Sequence, residues 1–257
     1  MNIGFSTGSI ALGDFRKAVN DLNRKPGNVI ELSALRESEL EPLIDSLDTL
    51  DLGKFNYVSF HAPSKLRNMT EVRLVELLTT VANRGWYVIV HPDIIKDYRL
   101  WEVLGQFLCL ENMDKRKEIG RTADDMTSLF ERLPAASFCF DIAHVRQVDP
   151  TLMEGLKMVN LFRERLVQLH VSEVNSESKH QPLTFESILA FNTLAQFIPP
   201  ETPIVLESPV TFDRIDTEIQ KTESIFNNKL LIEMLDPFKD SSINFYDKIQ
   251  TLISLSA

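Results

Sequence analysis

Glycine is scarce in this chain, at nine residues in 257. No G-x-G-x-x-G run occurs, and the first expected turn reads Ser6-Thr7-Gly8-Ser9. That argues against an open, doubly wound sheet, which binds its nucleotide through a glycine-rich first turn. Cysteine is scarcer still, with only Cys109 and Cys139. Each lies two residues before a candidate ligand on its strand and so points to the same face. They read as reduced core thiols, because free cysteine is typically a small buried hydrophobe. A ligand role ranks second and a disulfide last. No apolar run approaches the ~18 residues of a membrane span. The N-terminal stretch MNIGFSTGSIALGDF lacks the basic start and long apolar centre of a signal peptide. A cytoplasmic protein with no membrane partner is expected. Positive charge is also short: 27 Lys and Arg stand against 37 Asp and Glu, a net charge of −10. Polynucleotide binding rests on phosphate neutralisation and is therefore disfavoured, although a local basic patch could override the balance.

What is present is regular alternation. Apolar, β-compatible runs fall at 2–6, 28–34, 56–61, 86–91, 107–111, 137–141, 166–171 and 203–207. Amphipathic stretches with helical spacing lie between them, such as 37–50 and 70–84. Thr122 followed by Asp125 reads as a relaxed capping box for a helix over 122–133. Pro150 after Asp149 reads as the start of a helix over 150–164. Thr184 caps an expected helix over 185–197. Eight strands alternating with helices predict an α/β fold, a closed (β/α)8 TIM barrel. The near-continuous apolar strands fit a parallel sheet buried on both faces. The tail over 241–255 predicts an extra C-terminal helix, and residues 1–257 are expected to form a single domain.

The strands end on metal-binding side chains. SFHAP, VIVHPD, CLEN, CFDIAH and VQLHVSE stop at or near His61, His91, Glu111, Asp141 and His170, and IVLESP at Glu207. His144 follows Asp141 by three residues, in the expected loop after strand six, and His180 falls in the loop after strand seven. These are all five histidines of the chain. In such a barrel the C-terminal strand ends converge on the active-site face. Three carboxylates brought together there would repel one another and take up protons unless cations neutralised them. Imidazole with carboxylate suits zinc, manganese or iron better than calcium or magnesium.

This pattern resembles the xylose-isomerase-like barrel superfamily, which contains endonuclease IV and many sugar isomerases and epimerases. The resemblance covers roughly residues 1–210. It implies that Glu111, Asp141, His170 and Glu207 hold one metal and that Asp141 and His144 form the D-x-x-H step of both branches. His61 in F-H-A-P and His91 in V-H-P-D match the two histidines added in the endonuclease IV branch. There they build a second metal position that the strand-five Glu, here Glu111, bridges. The third position of that branch uses a D-x-H pair, but here the loop reads S-E-S-K-H. Ser178 stands where the Asp would be and His180 matches the His. In epimerases an Arg often takes the neighbouring role, which His180 or Lys179 could mimic.

Charge separates the chemistries. One divalent ion with three carboxylates leaves about −1, two leave about +1 and three about +3, the last two suiting an anionic substrate. His61 and His91 favour at least two ions. The leading expectation is thus a hydrolase with two or three divalent ions, cleaving a phosphoester of a small phosphorylated or nucleotide-like substrate. Glu111 and Glu207 are its catalytic candidates. Glu31, Lys65, Arg67, Asn112, Arg116 and Lys179 are candidates for substrate binding, although a structural role for Glu31 and solvation of the basic residues are the plainer readings. Asp93 is read as an orienting carboxylate for His91 or for a neighbouring loop. The alternatives are a mononuclear sugar or sugar-phosphate isomerase or epimerase, with Glu111 and Glu207 moving protons on opposite faces, and a non-catalytic metal-binding barrel used as a binding module.

Overall fold

The computed structural model describes residues 1–227. The expected helix over 241–255 lies outside them. Eight parallel strands close into a barrel: β1 (Ile3–Ser6), β2 (Val29–Ser33), β3 (Tyr57–His61), β4 (Tyr87–Val90), β5 (Leu108–Glu111), β6 (Ser137–Asp141), β7 (Leu166–Val171) and, after a short hairpin of β8 (Glu173–Val174) and β9 (His180–Gln181), β10 (Ile204–Leu206). The barrel closes where β10 pairs with β1. The expected strands lie within a residue or two of these.

The helices are α1 (Thr7–Ile10), α2 (Phe15–Asn23), α3 (Glu37–Ile44), α4 (Glu71–Ala82), α5 (Tyr98–Trp101), α6 (Ala123–Arg132), α7 (Ile142–Val148), α8 (Met153–Leu161), α9 (Phe185–Ala195) and α10 (Ile215–Phe226). Among the described residues no helix is long and apolar enough to cross a membrane.

Strand alternation sorts the side chains into two environments. Outward residues such as Phe5, Ile30, Leu32, Phe60, Val88, Leu110, Phe138 and Phe140 join the helices in one continuous apolar core. Inward residues are different: Ile89, Cys109 and Cys139 form a small separate cluster, and Glu31, Ser59 and Gln168 are buried and polar. Both cysteines are free and buried. Phe138 shows what anchors the outer layer. Its ring lies 6.0 Å from Phe130, 5.9 Å from Phe140 and 5.6 Å from Phe162, centroid to centroid. Truncating it leaves a cavity no single neighbour can fill. Phe138→Ala is expected to lower stability by about 3–5 kcal/mol, read as a lower urea midpoint at unchanged slope.

Helix starts follow cap chemistry. Thr122 accepts from Asp125 N while Asp125 Oδ2 accepts from Thr122 N, as the sequence predicts. Thr184 likewise caps α9. Two expectations are corrected. α8 begins at Met153, not at Pro150: Asp149 caps a tight turn by accepting from Thr151 N and Glu154 N, and Leu152 adopts a left-handed φ of 62°. His144 does not lie in a loop. It sits in the first turn of α7, because Asp141 Oδ1 accepts from His144 N at 2.7 Å and serves as the N-cap. The D-x-x-H spacing is therefore a capping interval as well as a pair of donors.

Candidate metal centre

Glu111 is the hub of the strand-end bowl. Its Oε2 lies 3.3 Å from His61 Nε2 and 3.2 Å from His91 Nε2. Its Oε1 lies 3.1 Å from His170 Nδ1 and 3.4 Å from His144 Nδ1. The two oxygens of one carboxylate thus face two different groups. His61, His91 and Glu111 offer ligand atoms within 4.8 Å of one another, and so do Glu111, Asp141, His170 and Glu207. Strand periodicity explains this convergence: each of these residues is the last inward position of its strand or the first residue beyond it.

Two of the histidines are anchored to backbone carbonyls through Nδ1. His61 Nδ1 lies 2.7 Å from the Ala62 carbonyl and His144 Nδ1 lies 3.0 Å from the Asn112 carbonyl. A ring N–H donated outward leaves the opposite nitrogen with a lone pair for an ion. Asp141 Oδ2 is buried without a hydrogen-bond partner, 3.4 Å from His144 Nδ1, although Oδ1 is engaged as the cap. Buried carboxylate oxygens are rarely left bare. The donor set therefore fits divalent ions of the zinc, manganese or iron type.

Without an ion the electrostatics are strained. Burial, reinforced by the carboxylates of Glu111, Asp141 and Glu31, pushes Glu207 up to about 7 against the pull of His170. Burial likewise raises Asp141. Burial disfavours charge on Glu111 too, but His170, His61 and His91 outweigh it and hold that carboxyl well below the usual range. His61 goes the other way: burial pulls it down, yet Glu111, Glu31 and Glu207 raise it to about 9.

A cavity of about 610 Å³ opens above these groups. Lys65 and Arg116, two of the candidates for substrate binding, line it. The Arg116 guanidinium is held in a two-point ion pair by buried Asp114, at 2.9 and 2.7 Å. Lys117, not anticipated, also lines the cavity and pairs with Asp93 at 2.5 Å. Both Asp114 and Lys117 belong to the charged run that follows Glu111, which was the available signal. Of the two roles expected for Asp93, the pair with Lys117 is the contact to a neighbouring loop, and His91 Nδ1 has no hydrogen-bond partner.

Four expected substrate contacts lie elsewhere. Asn112 is fully buried, its amide clamped to the backbone N and O of Asp141 at 2.8 Å each. Arg67 lines a neighbouring depression beyond Lys65, its backbone N donating to Glu37. Lys179 points to Glu177 at the surface. Glu31 is wholly buried in the lumen, below the bowl.

The third corner holds His180, whose ring lies 5.6 Å from that of His144. His180 Nε2 is 3.5 Å from Glu207 Oε2, and Nδ1 is 2.8 Å from Ser172 Oγ. It is carried by the β8–β9 hairpin, where a plain loop was expected. Ser178, at a left-handed φ of 56°, donates its hydroxyl to Gln147 Oε1 at 2.5 Å.

Two solved structures share this barrel along most of its length. Endonuclease IV from Thermus thermophilus matches with a TM-score of 0.57 at 15% identity, over 89% of this chain and 100% of that one. The chain has the fold of the xylose-isomerase-like barrels. The IolI protein, solved with a zinc atom bound, matches with a TM-score of 0.58 at 11% identity, over 89% of this chain and 99% of that one. No family model and no curated protein matches the chain. Within the xylose-isomerase-like barrel, these side chains stand at the C-terminal strand ends, the face that carries catalysis in barrels of this kind.

Proposed function

We propose that the chain is a divalent-metal-dependent phosphoesterase acting on a small anionic substrate. The observation that carries this reading is the split of Glu111, with one oxygen toward His61 and His91 and the other toward His170. That geometry suits a bridging ligand between two ions, one held by His61, His91 and Glu111, the other by Glu111, Asp141, His170 and Glu207. When bound, such a pair supplies charge neutralisation and water activation for in-line displacement at phosphorus. The residues do the rest. Lys65 and Arg116 hold the anion at the cavity wall. Glu207, whose carboxyl is pushed up to about 7 by burial and neighbouring carboxylates in the metal-free site, gives up that proton when it takes an ion. His144 and His180 stand at the third corner, where they hold a further ion or bind the anion directly. The zinc in the IolI structure and the nuclease name of the Thermus neighbour support a metal-dependent enzyme on this scaffold.

The placement of Glu111 and Glu207 in one tetrad favours a second reading, a mononuclear sugar or sugar-phosphate isomerase in which these two carboxylates would move protons on opposite faces of the substrate. Metal content separates the two. The wild-type protein is expected to carry at least about two equivalents of zinc or manganese, as a two-metal site requires, and to hydrolyse bis-p-nitrophenyl phosphate. The His61→Ala/His91→Ala variant should lose about one equivalent and that activity. One equivalent, unchanged in the variant and accompanied by turnover on a ketose panel, overturns the phosphoesterase in favour of the isomerase.

A further inference from the structure

Below the bowl lies a polar group that neither substrate nor solvent reaches. Glu31 on β2 and His170 and Gln168 on β7 are each 0% exposed. Strands β2 and β7 are not neighbours, since β1 and β10 stand between them. The Glu31 side chain therefore reaches across the lumen. Its Oε2 lies 3.0 Å from His170 Nε2, 2.7 Å from Gln168 Nε2 and 3.4 Å from Ser59 Oγ. On the other side of the same ring, His170 Nδ1 faces Glu111 Oε1 at 3.1 Å and Glu207 Oε2 at 3.6 Å.

An imidazole can offer a lone pair at Nδ1 only if its single proton sits on Nε2, and that proton needs an acceptor. A buried N–H without one costs about 1–3 kcal/mol. Glu31 Oε2 is the acceptor in reach. Gln168 presents its amide nitrogen, a donor, 2.8 Å from His170 Nε2; with that ring nitrogen protonated the two N–H groups do not bond each other but share Glu31 Oε2 as their acceptor. Turning that amide over would set Gln168 Oε1 against Glu31 Oε2 and lose the 2.7 Å bond. Gln168 thus braces Glu31, and Glu31 sets the ring.

We propose that Glu31 is a positioning residue for the metal centre: by accepting from Nε2–H it fixes His170 in the tautomer and orientation whose Nδ1 lone pair points at the tetrad. This rests on the metal reading above. Carboxylates behind metal-bound histidines raise ligand basicity as well as fixing the ring, and their loss typically weakens binding about 10–100-fold.

The test uses the full chain and Zn²⁺ alone. Wild-type and Glu31→Gln proteins, matched in shape at this position, are stripped and titrated against a chromophoric chelator. Zinc affinity should fall about 10–100-fold in the variant. In ¹⁵N spectra of the zinc-loaded wild type, His170 should show a protonated Nε2 and a metal-shifted Nδ1. If the wild type takes up no zinc, the metal reading fails and this inference with it. If the wild type binds zinc but folded Glu31→Gln binds it equally well, the role of Glu31 alone is overturned. If the variant does not fold, the wild-type spectrum decides: protonation at Nδ1, or zinc on Nε2, overturns the assignment.

Discussion

Glu111→Gln is expected to remove metal from both positions at once and to lower phosphoesterase activity on the order of 1,000-fold or more, since metal-ion catalysis is worth several kcal/mol and about 1.4 kcal/mol is tenfold. The reason is geometric. No other carboxylate among the described residues faces both groups of donors, with Oε2 near His61 and His91 and Oε1 near His170 and His144. Glutamine keeps the shape but replaces one oxygen by an amide nitrogen, which repels a cation and cannot bridge. The fold should survive, because the strand register at Glu111 is made by backbone pairing with β6. Elemental analysis of the purified variant, beside its circular dichroism, checks both halves. A variant retaining full metal content would show that Glu111 is not the bridge. By contrast, His91→Ala alone should spare the tetrad ion.

Zinc uptake should depend steeply on pH. In the metal-free protein Glu207 holds its proton up to about 7 and His61 up to about 9. Both groups must give up a site proton to bind an ion, so uptake releases protons and affinity rises with pH. Below pH 7 both protons are displaced, so overall affinity for the two positions should change about a hundredfold per pH unit. Between 7 and 9 only the His61 proton of this pair counts, and the pair's contribution should drop to about tenfold. Above 9 the dependence of these two groups levels off. His144 and His170, also raised, act in the same direction and steepen the curve. Calorimetry in buffers of different ionisation enthalpy reads the proton count directly. A flat profile between about pH 6 and 8 would contradict the assignment of His61 and Glu207 as ligands.

Much of the scaffold was legible in the sequence because barrel strands announce themselves locally. Each is a short apolar run whose inward register can be counted in twos, so the convergence of His61, Glu111, Asp141 and His170 followed from the position of the last residue in each run. The helix at His144 is hidden in the sequence because its start signal, Asp141, is also a candidate metal donor, and the D-x-x-H spacing fits either role. Contacts across the lumen were not legible at all. Glu31 and His170 are 139 residues apart and meet only when the barrel closes, so no local pattern distinguishes a carboxylate under a ring from one at the rim. The same holds for Lys117, which pairs with Asp93 from a neighbouring loop. Lys179 failed for the opposite reason: an exposed lysine near a glutamate satisfies itself locally.

The β8–β9 hairpin carries His180 on a two-residue antiparallel ladder outside the barrel's own hydrogen bonding. Its turn is closed by Asn175, whose side chain accepts from Glu177 N and Lys179 N. The third corner of the bowl therefore hangs on a detachable cassette rather than on the barrel wall. A substitution at Ser178 or His180 would alter that corner without touching the strand-end tetrad. The third corner is in this sense a loop trait, open to engineering at little cost to the scaffold beneath it.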